Sequence, residues 1–87
     1  MTGASLPRFY FDTFDGESAN VDSDGIECSS RQVVRHRAID ALPDMARETL
    51  PDGPNRIFRV EVRDDGGAVV FRATLELQSG WVDRNGP

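Results

Sequence analysis

The sequence contains no lysine, one cysteine, Cys28, and one histidine, His36. A single thiol cannot form a disulfide within the chain, and these two side chains cannot supply the four ligands of a structural zinc site. The fold must therefore be held by packing alone, and we expect no metal ion and no cofactor. All ten basic residues are arginine, which suits bidentate recognition of anions but follows more simply from the codon usage of a GC-rich genome.

The sequence also has no run of apolar residues close to the roughly 18 that a membrane-spanning helix needs. The segment MTGASLPRF lacks the basic start and apolar stretch of a secretion signal, which predicts a cytoplasmic protein with no membrane partner. The net charge of −5 argues against nucleic acid as a partner, because phosphate binding depends on a surplus of basic side chains.

The length of 87 residues predicts one domain, because a chain of this size buries only about two-thirds of its unfolded surface and cannot build two cores. The composition, 38% hydrophobic and 29% charged, is typical of a globular domain. We expect residues 1–87 to form that domain, with an ordered core over about 7–82 and a flexible tail over 83–87.

Three segments have the alternation of apolar and polar residues that is typical of strands. They are residues 8–14, 56–63 and 68–77. The stretch 15–25 is rich in acids, glycine and serine, which predicts a loop, followed by at most a short strand over 25–28. The inward positions of the last two strands are predicted to be Phe58, Val60, Val62, Val69, Phe71, Ala73, Leu75 and Leu77.

A helix is predicted over about 30–50, because Ser29 and Gln32 have the spacing of a capping box and an apolar stripe follows them. The stripe consists of Val34, Ala38, Ala41, Leu42, Met45 and Thr49. Pro43 costs a helix about 3 kcal/mol in an interior position, but here it lies on the polar side. We therefore expect one bent helix, with two abutting helices as the alternative, ended by the turn-forming residues 50–55.

The sequence DDGG connects the last two predicted strands. A two-residue turn at Gly66-Gly67 places Glu61 opposite Arg72, whereas a turn one residue earlier places two arginines opposite each other. We therefore prefer the turn at Gly66-Gly67. The predicted fold class is α+β, a small antiparallel sheet in the order β-(β)-α-β-β with one helix packed on one face.

The stretch NVDSDGIECSSR contains Asn20, Asp22 and Asp24, followed by a glycine, in the spacing of an EF-hand calcium loop. The twelfth position, where a glutamate should close the coordination shell, is Arg31, and the preceding segment is a predicted strand where the motif has a helix. Turn chemistry explains the same residues, since aspartate and serine bond to their own backbone and glycine permits positive φ. We expect no metal ligands here.

Cysteine catalysis needs a histidine beside Cys28 and a carboxylate to orient that histidine. Asp40 is one helical turn from His36, but both project from the polar side of the predicted helix, whereas Cys28 precedes its first residue. We therefore predict no catalytic residues and expect that the protein is not an enzyme.

The side of the predicted sheet that the helix leaves uncovered should carry aromatic residues beside arginines, a composition typical of protein contact surfaces. We interpret it as an interaction surface for a homodimer or another protein, formed by Tyr10, Phe14, Ile57, Arg59, Val70 and Arg72. A sheet face shielded by arginine stems is an equally simple interpretation. An alternative interaction site is the acidic loop, with Asp15, Asp22 and Asp24.

Several segments together resemble an uncharacterised family of short bacterial proteins found in rhizobia and related alphaproteobacteria. They are PRFYFDTFDGE, DSDGIE, RAIDALPDMARETLPDG and FRVEVRDDGGAVVFRATLEL. The resemblance covers Pro7 to Trp81. It implies a shared fold but no activity, since the family is labelled only as a domain of unknown function, and it identifies no functional residue.

A weaker resemblance links the chain to the N-terminal domain of HicB-type antitoxins, which also runs from a turn through a short strand into an alanine-rich helix. The matching residues are Asp22, Gly25, Ala38, Ala41 and Leu42. This resemblance implies an antitoxin-like regulatory protein that binds a small basic partner through the acidic loop. The sequence therefore favours a non-enzymatic, self-associating interaction module, with the antitoxin-like protein as the alternative.

Overall fold

The computed structural model describes residues 6–49 and 53–83, and within them the chain forms five strands and one helix. The strands are β1 Arg8–Phe14, β2 Ala19–Asn20, β3 Ile26–Glu27, β4 Asn55–Arg63 and β5 Val69–Gln78, and the helix is α1 Arg31–Thr49. The predicted α+β fold class is confirmed. The predicted helix end at Leu50, part of the predicted turn 50–55 and the predicted tail after Asp83 lie outside the described residues.

The five strands form one antiparallel sheet. Its order is β2-β1-β4-β5, and β3 pairs with the same side of β1 as β2 does, nearer the start of β1. The strand that neighbours β1 on this side is therefore formed by two short segments, β2 and β3. The prediction of a loop over 15–25 missed β2, because two paired residues are too few to produce an alternating pattern, whereas the short strand predicted at 25–28 is confirmed as β3.

Helix α1 packs on one face of the sheet, as predicted. The core between them consists of Cys28, Val34, Ala38, Leu42, Phe58, Val60 and Val62. Burial of each larger apolar side chain stabilises the fold by about 1.5–3 kcal/mol. We call the side of the sheet that contacts α1 the inner face and the opposite side the outer face.

Helix α1 is continuous through Pro43, which confirms the prediction of one helix over that of two. The predicted apolar stripe is buried at its centre, and the predicted polar residues lie on the exposed side. The helix cap is one residue later than predicted, because the Ser30 hydroxyl accepts a hydrogen bond from the Val33 N–H at 3.2 Å. Ser29 and Ser30 have the same capping chemistry, so composition could not distinguish them.

The turn between β4 and β5 differs from the predicted Gly66-Gly67 turn. The Asp64 carbonyl accepts a hydrogen bond from the Gly67 N–H at 3.0 Å, which makes Asp65 and Gly66 the central residues. Gly67 follows with a φ of +91°, and the Asp64 N–H then donates to the Ala68 carbonyl at 2.8 Å. This is a three-residue hairpin loop whose glycine occupies the left-handed region.

The predicted pairing of Glu61 with Arg72 is nevertheless correct, because a second irregularity compensates for the odd loop. A β-bulge at Val62/Arg63 shifts the register, so that Arg63 pairs with Val69 while Val62 pairs with Phe71. One consequence is that Val69, which was predicted to face inward, is 49% exposed opposite Arg63. Neither irregularity has a distinct signal in a sequence that contains DDGG.

Candidate functional site

The outer face is the surface that the sequence analysis proposed for interaction. Among the described residues, no helix or further strand covers it. By strand alternation its side chains include Tyr10, Asp12 and Phe14 from β1, Ile57, Arg59, Glu61 and Arg63 from β4, and Arg72, Thr74 and Glu76 from β5. The register adds Val69, which lies opposite Arg63.

Arg63 is the most connected side chain of the outer face. Its guanidinium donates to both carboxylate oxygens of Asp12, from Nε at 2.6 Å and from Nη2 at 3.0 Å. Nη2 also donates to the Asp22 carbonyl at 2.9 Å, and the guanidinium lies 5.1 Å from the centre of the Tyr10 ring. The Arg63 hydrogen bond lowers the pKa of Asp12, and the same bond raises the pKa of Arg63.

A second ion pair lies beside the first. The Arg72 Nε donates to the Glu61 carboxylate at 2.6 Å across β4 and β5. Asp12 and Glu61 are themselves directly opposite on β1 and β4, an arrangement that destabilises a sheet when the charges are alike. Arg63 and Arg72 neutralise these two carboxylates, so charges of both signs alternate across the centre of the face.

Aromatic and apolar side chains flank this charged centre. The Arg59 guanidinium lies 5.8 Å from the centre of the Phe14 ring, within the range of a cation–π interaction. Ile57 is 38% exposed, and Tyr10 and Phe14 are half-buried. The structure thus places five of the predicted residues on one face: Tyr10, Phe14, Ile57, Arg59 and Arg72.

Val70 is the predicted residue that the structure separates from the others. It lies in the β-bulge near the start of β5, and bulges re-aim side chains. It lines a groove of about 390 Å³ together with Phe9, Val34 and Phe71, which belong to the inner side of the sheet and to the helix. The placement of Val70 on the outer face was therefore wrong, because the simple alternation ignored the extra residue.

The acidic loop is organised around Asp22. One carboxylate oxygen accepts a hydrogen bond from the Phe11 N–H at 3.0 Å, and the other accepts from the N–H groups of Asp24 and Gly25, both at 3.1 Å. The bond from Phe11 is the largest cause of a lowered pKa at Asp22. Gly25 has a φ of +72°, which allows the turn. Both oxygens of Asp22 are therefore engaged with the backbone of its own chain.

Asp15 has a similar local role. Its carboxylate accepts hydrogen bonds from the N–H groups of Ser18 at 2.8 Å and Glu17 at 3.0 Å, and these bonds lower its pKa. Asp24, the third acid of the alternative site, is exposed, and its carboxylate accepts no hydrogen bond within the described residues. Of the three predicted acids, Asp24 thus has the carboxylate best placed to meet a partner.

Residues 8–76 match the sequence profile of a family described as a domain of unknown function, DUF6894. The chain belongs to the DUF6894 family. The match extends from the first residue of β1 to near the end of β5 and so includes the outer face. Searches of curated proteins and of solved structures find no match. The family description gives no activity, as the resemblance noted from the sequence implied.

Two features of this DUF6894 chain were missed by the sequence analysis. The pairing of Asp12 with Arg63 is diagonal across β1 and β4, so it depends on the strand register and has no signal in sequence spacing.

The second feature is the inward orientation of Arg56. Arg56 alternates with Phe58 and Val60 and therefore lies on the inner face, where its side chain is 10% exposed. Its Nε donates to the Asp15 carbonyl at 2.7 Å. The period of two could have identified this inward arginine.

The residues considered for catalysis or metal binding lie apart in the DUF6894 fold. Cys28 is 1% exposed in the core, whereas His36 and Asp40 are on the exposed side of α1. Within residues 6–49 and 53–83, no three histidine, cysteine or acidic side chains come together as metal ligands. In the same residues, α1 lacks the apolar length that crossing a bilayer requires.

Proposed function

We propose that this DUF6894 member is a non-enzymatic, cytoplasmic interaction module that binds a second protein molecule through its sheet, with a copy of itself as the principal partner. The observation that carries the proposal is the uncovered outer face, which has aromatic, aliphatic and arginine side chains on one surface. Aromatic residues and arginine are enriched at protein interfaces and in their energetic hot spots.

The contacts that the arginines of the outer face make within their own chain favour binding of a partner. Arg63 contacts Asp12 and Tyr10, and Arg59 lies over Phe14, so both long side chains have partners within their own chain. Immobilising a flexible side chain at an interface costs about 0.5–1.5 kcal/mol, and contacts within the chain reduce that cost. The alternation of positive and negative charges also favours a partner with a matching pattern.

The buried thiol and the exposed histidine support a non-enzymatic role. A cysteine nucleophile requires access to substrate and a neighbouring base, and Cys28 lies in the core while His36 lies on the far side of α1. We therefore expect the protein to act by binding a partner and not by catalysing a reaction.

The antitoxin-like alternative receives less support from the geometry of the acidic loop. In that hypothesis Asp15, Asp22 and Asp24 contact a small basic protein. The carboxylates of Asp15 and Asp22 are used by backbone N–H groups, which leaves Asp24 as the main candidate for contact. If the hypothesis is correct, Asp24→Ala will weaken binding of a basic partner while stability is unchanged.

Two isoleucines of nearly equal exposure provide a matched test of the main proposal. Ile57 on the outer face is 38% exposed, and Ile39 on α1 is 37% exposed. Ile57→Arg places a cation opposite Glu76, so the sheet keeps a favourable pair while the apolar contact surface is lost. Ile39→Arg adds the same charge to the helix.

The measurement is the mass of the purified protein by sedimentation, together with recovery of crosslinked partners from cells. We expect Ile57→Arg to reduce association and Ile39→Arg to leave it unchanged. The proposal fails if the wild type neither self-associates nor recovers a protein that Ile57→Arg loses, or if both variants have the same effect.

A further inference from the structure

Within the part of the chain that the structure describes, strand β5 is an unpaired edge of the sheet. It has ten residues, from Val69 to Gln78, and it pairs with β4 on one side only. Natural edge strands are commonly protected by short length, proline, charged side chains or bulges, since an exposed edge is a template for pairing with another chain. β5 is long and contains no proline, its bulge is confined to its first residues, and its two charged side chains, Arg72 and Glu76, have opposite signs.

The direction of the free backbone groups follows from the register of β4 and β5. The Ser79 N–H donates to the Pro54 carbonyl at 2.9 Å, so the backbone groups of Ser79 point toward β4. Because these groups alternate along an antiparallel strand, those of Leu77, Leu75 and Ala73 also point toward β4. The N–H and C=O groups of Arg72, Thr74 and Glu76 therefore point outward, away from the sheet.

The side chains of this edge are complementary to themselves. In an antiparallel pair of two identical strands centred on Thr74, Arg72 of each copy lies opposite Glu76 of the other. The same register pairs the residues that lie on the inner face, Phe71 with Leu77 and Ala73 with Leu75. One register thus satisfies charge on the outer face and apolar contact on the inner face.

In any other register of the two β5 strands, Arg72 and Glu76 no longer lie opposite each other. A shift of one residue pairs inner positions with outer positions, which the pleat forbids. A shift of two residues places Arg72 or Glu76 opposite Thr74, and a shift of four aligns Arg72 with itself or Glu76 with itself. Only the register centred on Thr74 pairs each charge with its opposite.

We infer that two copies of this protein associate through β5, in antiparallel register about Thr74, so that the two sheets become one continuous sheet with both helices on the same side. The inference rests on the self-association in the proposed function and goes beyond it by assigning a second contact surface, the edge of β5, which leaves the outer face free to bind another molecule. The pairing supplies roughly six backbone hydrogen bonds, two for each of the outward-pointing pairs. Arg72 then lies between Glu61 of its own chain and Glu76 of the other copy.

The exposure of the edge is consistent with such a partner. Leu75 lies on the inner face, yet it is 40% exposed, and pairing brings the second copy's Ala73 alongside it. Glu76 accepts a hydrogen bond from Gln78 at 3.0 Å and makes no ion pair within the described residues. The second copy's Arg72 would supply that ion pair.

Charge substitutions test the register directly. Glu76→Arg places two arginines opposite each other at both ends of the symmetric pair, and Arg72→Glu places two glutamates there. Each variant alone should dissociate at a protein concentration at least about tenfold higher than the wild type. An equimolar mixture of the two variants should form a heterodimer, because every facing pair then has opposite charges. The double variant R72E/E76R should dimerise with itself.

Thr74→Pro tests the backbone contribution. The Thr74 N–H points away from β4, so proline there removes no hydrogen bond within the chain but removes the central pair between copies. The expected result is a folded monomer by sedimentation and circular dichroism. Because Arg72→Glu also loses the pair with Glu61, Glu76→Arg and Thr74→Pro keep the test valid if Arg72→Glu does not fold.

The outcomes separate this inference from the proposed function. A dimer that Glu76→Arg and Thr74→Pro leave intact overturns pairing through β5 but preserves self-association through another surface. A wild type that is monomeric at every concentration overturns the inference, and the recovery of a partner sensitive to Ile57→Arg then decides the proposed function. A mixture of variants that fails to form the heterodimer overturns the register.

Discussion

The Asp22 carboxylate accepts a hydrogen bond from the backbone N–H of Phe11 at 3.0 Å, at the point where neither β2 nor β3 pairs with β1. On either side of this point, β2 and β3 pair with β1 through their backbones. A side chain thus completes the edge of β1 where the neighbouring segment turns away. The same carboxylate accepts from Asp24 and Gly25, so it fixes the turn and the strand together.

Replacing Asp22 with alanine should therefore destabilise the fold. Asp22→Ala leaves three backbone N–H groups without their acceptor, and one part-buried unsatisfied donor alone costs about 1–3 kcal/mol. We expect a decrease of about 2–3 kcal/mol in the free energy of unfolding, measured by urea denaturation. The matched control is Asp24→Ala, which should stay within about 0.5 kcal/mol of the wild type. Equal losses in the two variants would contradict this account of Asp22.

Stability should also depend on pH in a defined direction. The pKa values of Asp12 and Asp22 are lowered in the folded protein, Asp12 by its hydrogen bond from Arg63 and Asp22 by the bond from Phe11. A lowered carboxyl pKa contributes stability that is complete above the unfolded pKa of about 3.9 and is lost as pH falls through the folded pKa.

We therefore expect the free energy of unfolding to fall as the pH is lowered below about 4. Asp22→Asn removes one titrating group and should flatten this dependence, even though the variant is less stable at neutral pH. Urea titrations at a series of pH values measure both effects. If the acid loss is as steep in the Asn variant as in the wild type, Asp22 is not the source of the linkage.

The sequence predicted the elements that have a regular period. The alternation in β1, β4 and β5 and the apolar stripe of α1 were clear because each face of these elements meets one environment. The outer-face positions followed from the same alternation, which correctly grouped Tyr10, Phe14 and Arg59.

Features that depend on single residues escaped prediction. The bulge that re-aims Val70 and the three-residue turn at Asp65-Gly66 each change the register by one, and the two changes together preserve the pairing of Glu61 with Arg72. The sequence pattern indicates the combined change of register but not the positions of the two separate irregularities. The diagonal pair of Asp12 and Arg63 likewise depends on three-dimensional register.

A side chain at Gly25 should destabilise the fold. The φ of +72° at Gly25 is costly for other residues, and an added Cβ would lie 2.8 Å from the Arg8 Cγ and 3.0 Å from the Phe9 carbonyl oxygen. Gly25→Ala should lower the free energy of unfolding by about 1–2 kcal/mol or more. Gly66→Ala is the control, since its nearest neighbour would be the Asp64 carboxylate at 3.5 Å. Thermal unfolding compares them, and a fully stable Gly25→Ala would exclude this steric argument.

Replacing Pro43 should stabilise α1. The proline is exposed within the helix, lacks the N–H that would donate to the Ile39 carbonyl, and crowds that carbonyl. Pro43→Ala should raise the free energy of unfolding by about 1–3 kcal/mol. Asp44→Ala, at the next exposed position of the helix, should change it by less than about 0.5 kcal/mol. A decrease with Pro43→Ala would mean that the proline shapes the helix to fit the sheet.

Cys28 provides a final test, because its chemistry distinguishes a structural thiol from a nucleophile. The side chain is 1% exposed, and the Cys28 N–H donates to the Pro7 carbonyl at 3.0 Å. A thiol reagent can therefore reach Cys28 only when the fold opens. If opening costs about 3 kcal/mol, the reaction will be roughly a hundredfold slower than in the unfolded chain. The rate should rise with urea in step with unfolding. A thiol that reacts in the native protein as fast as in the unfolded chain would place Cys28 at the surface and return the cysteine enzyme to consideration.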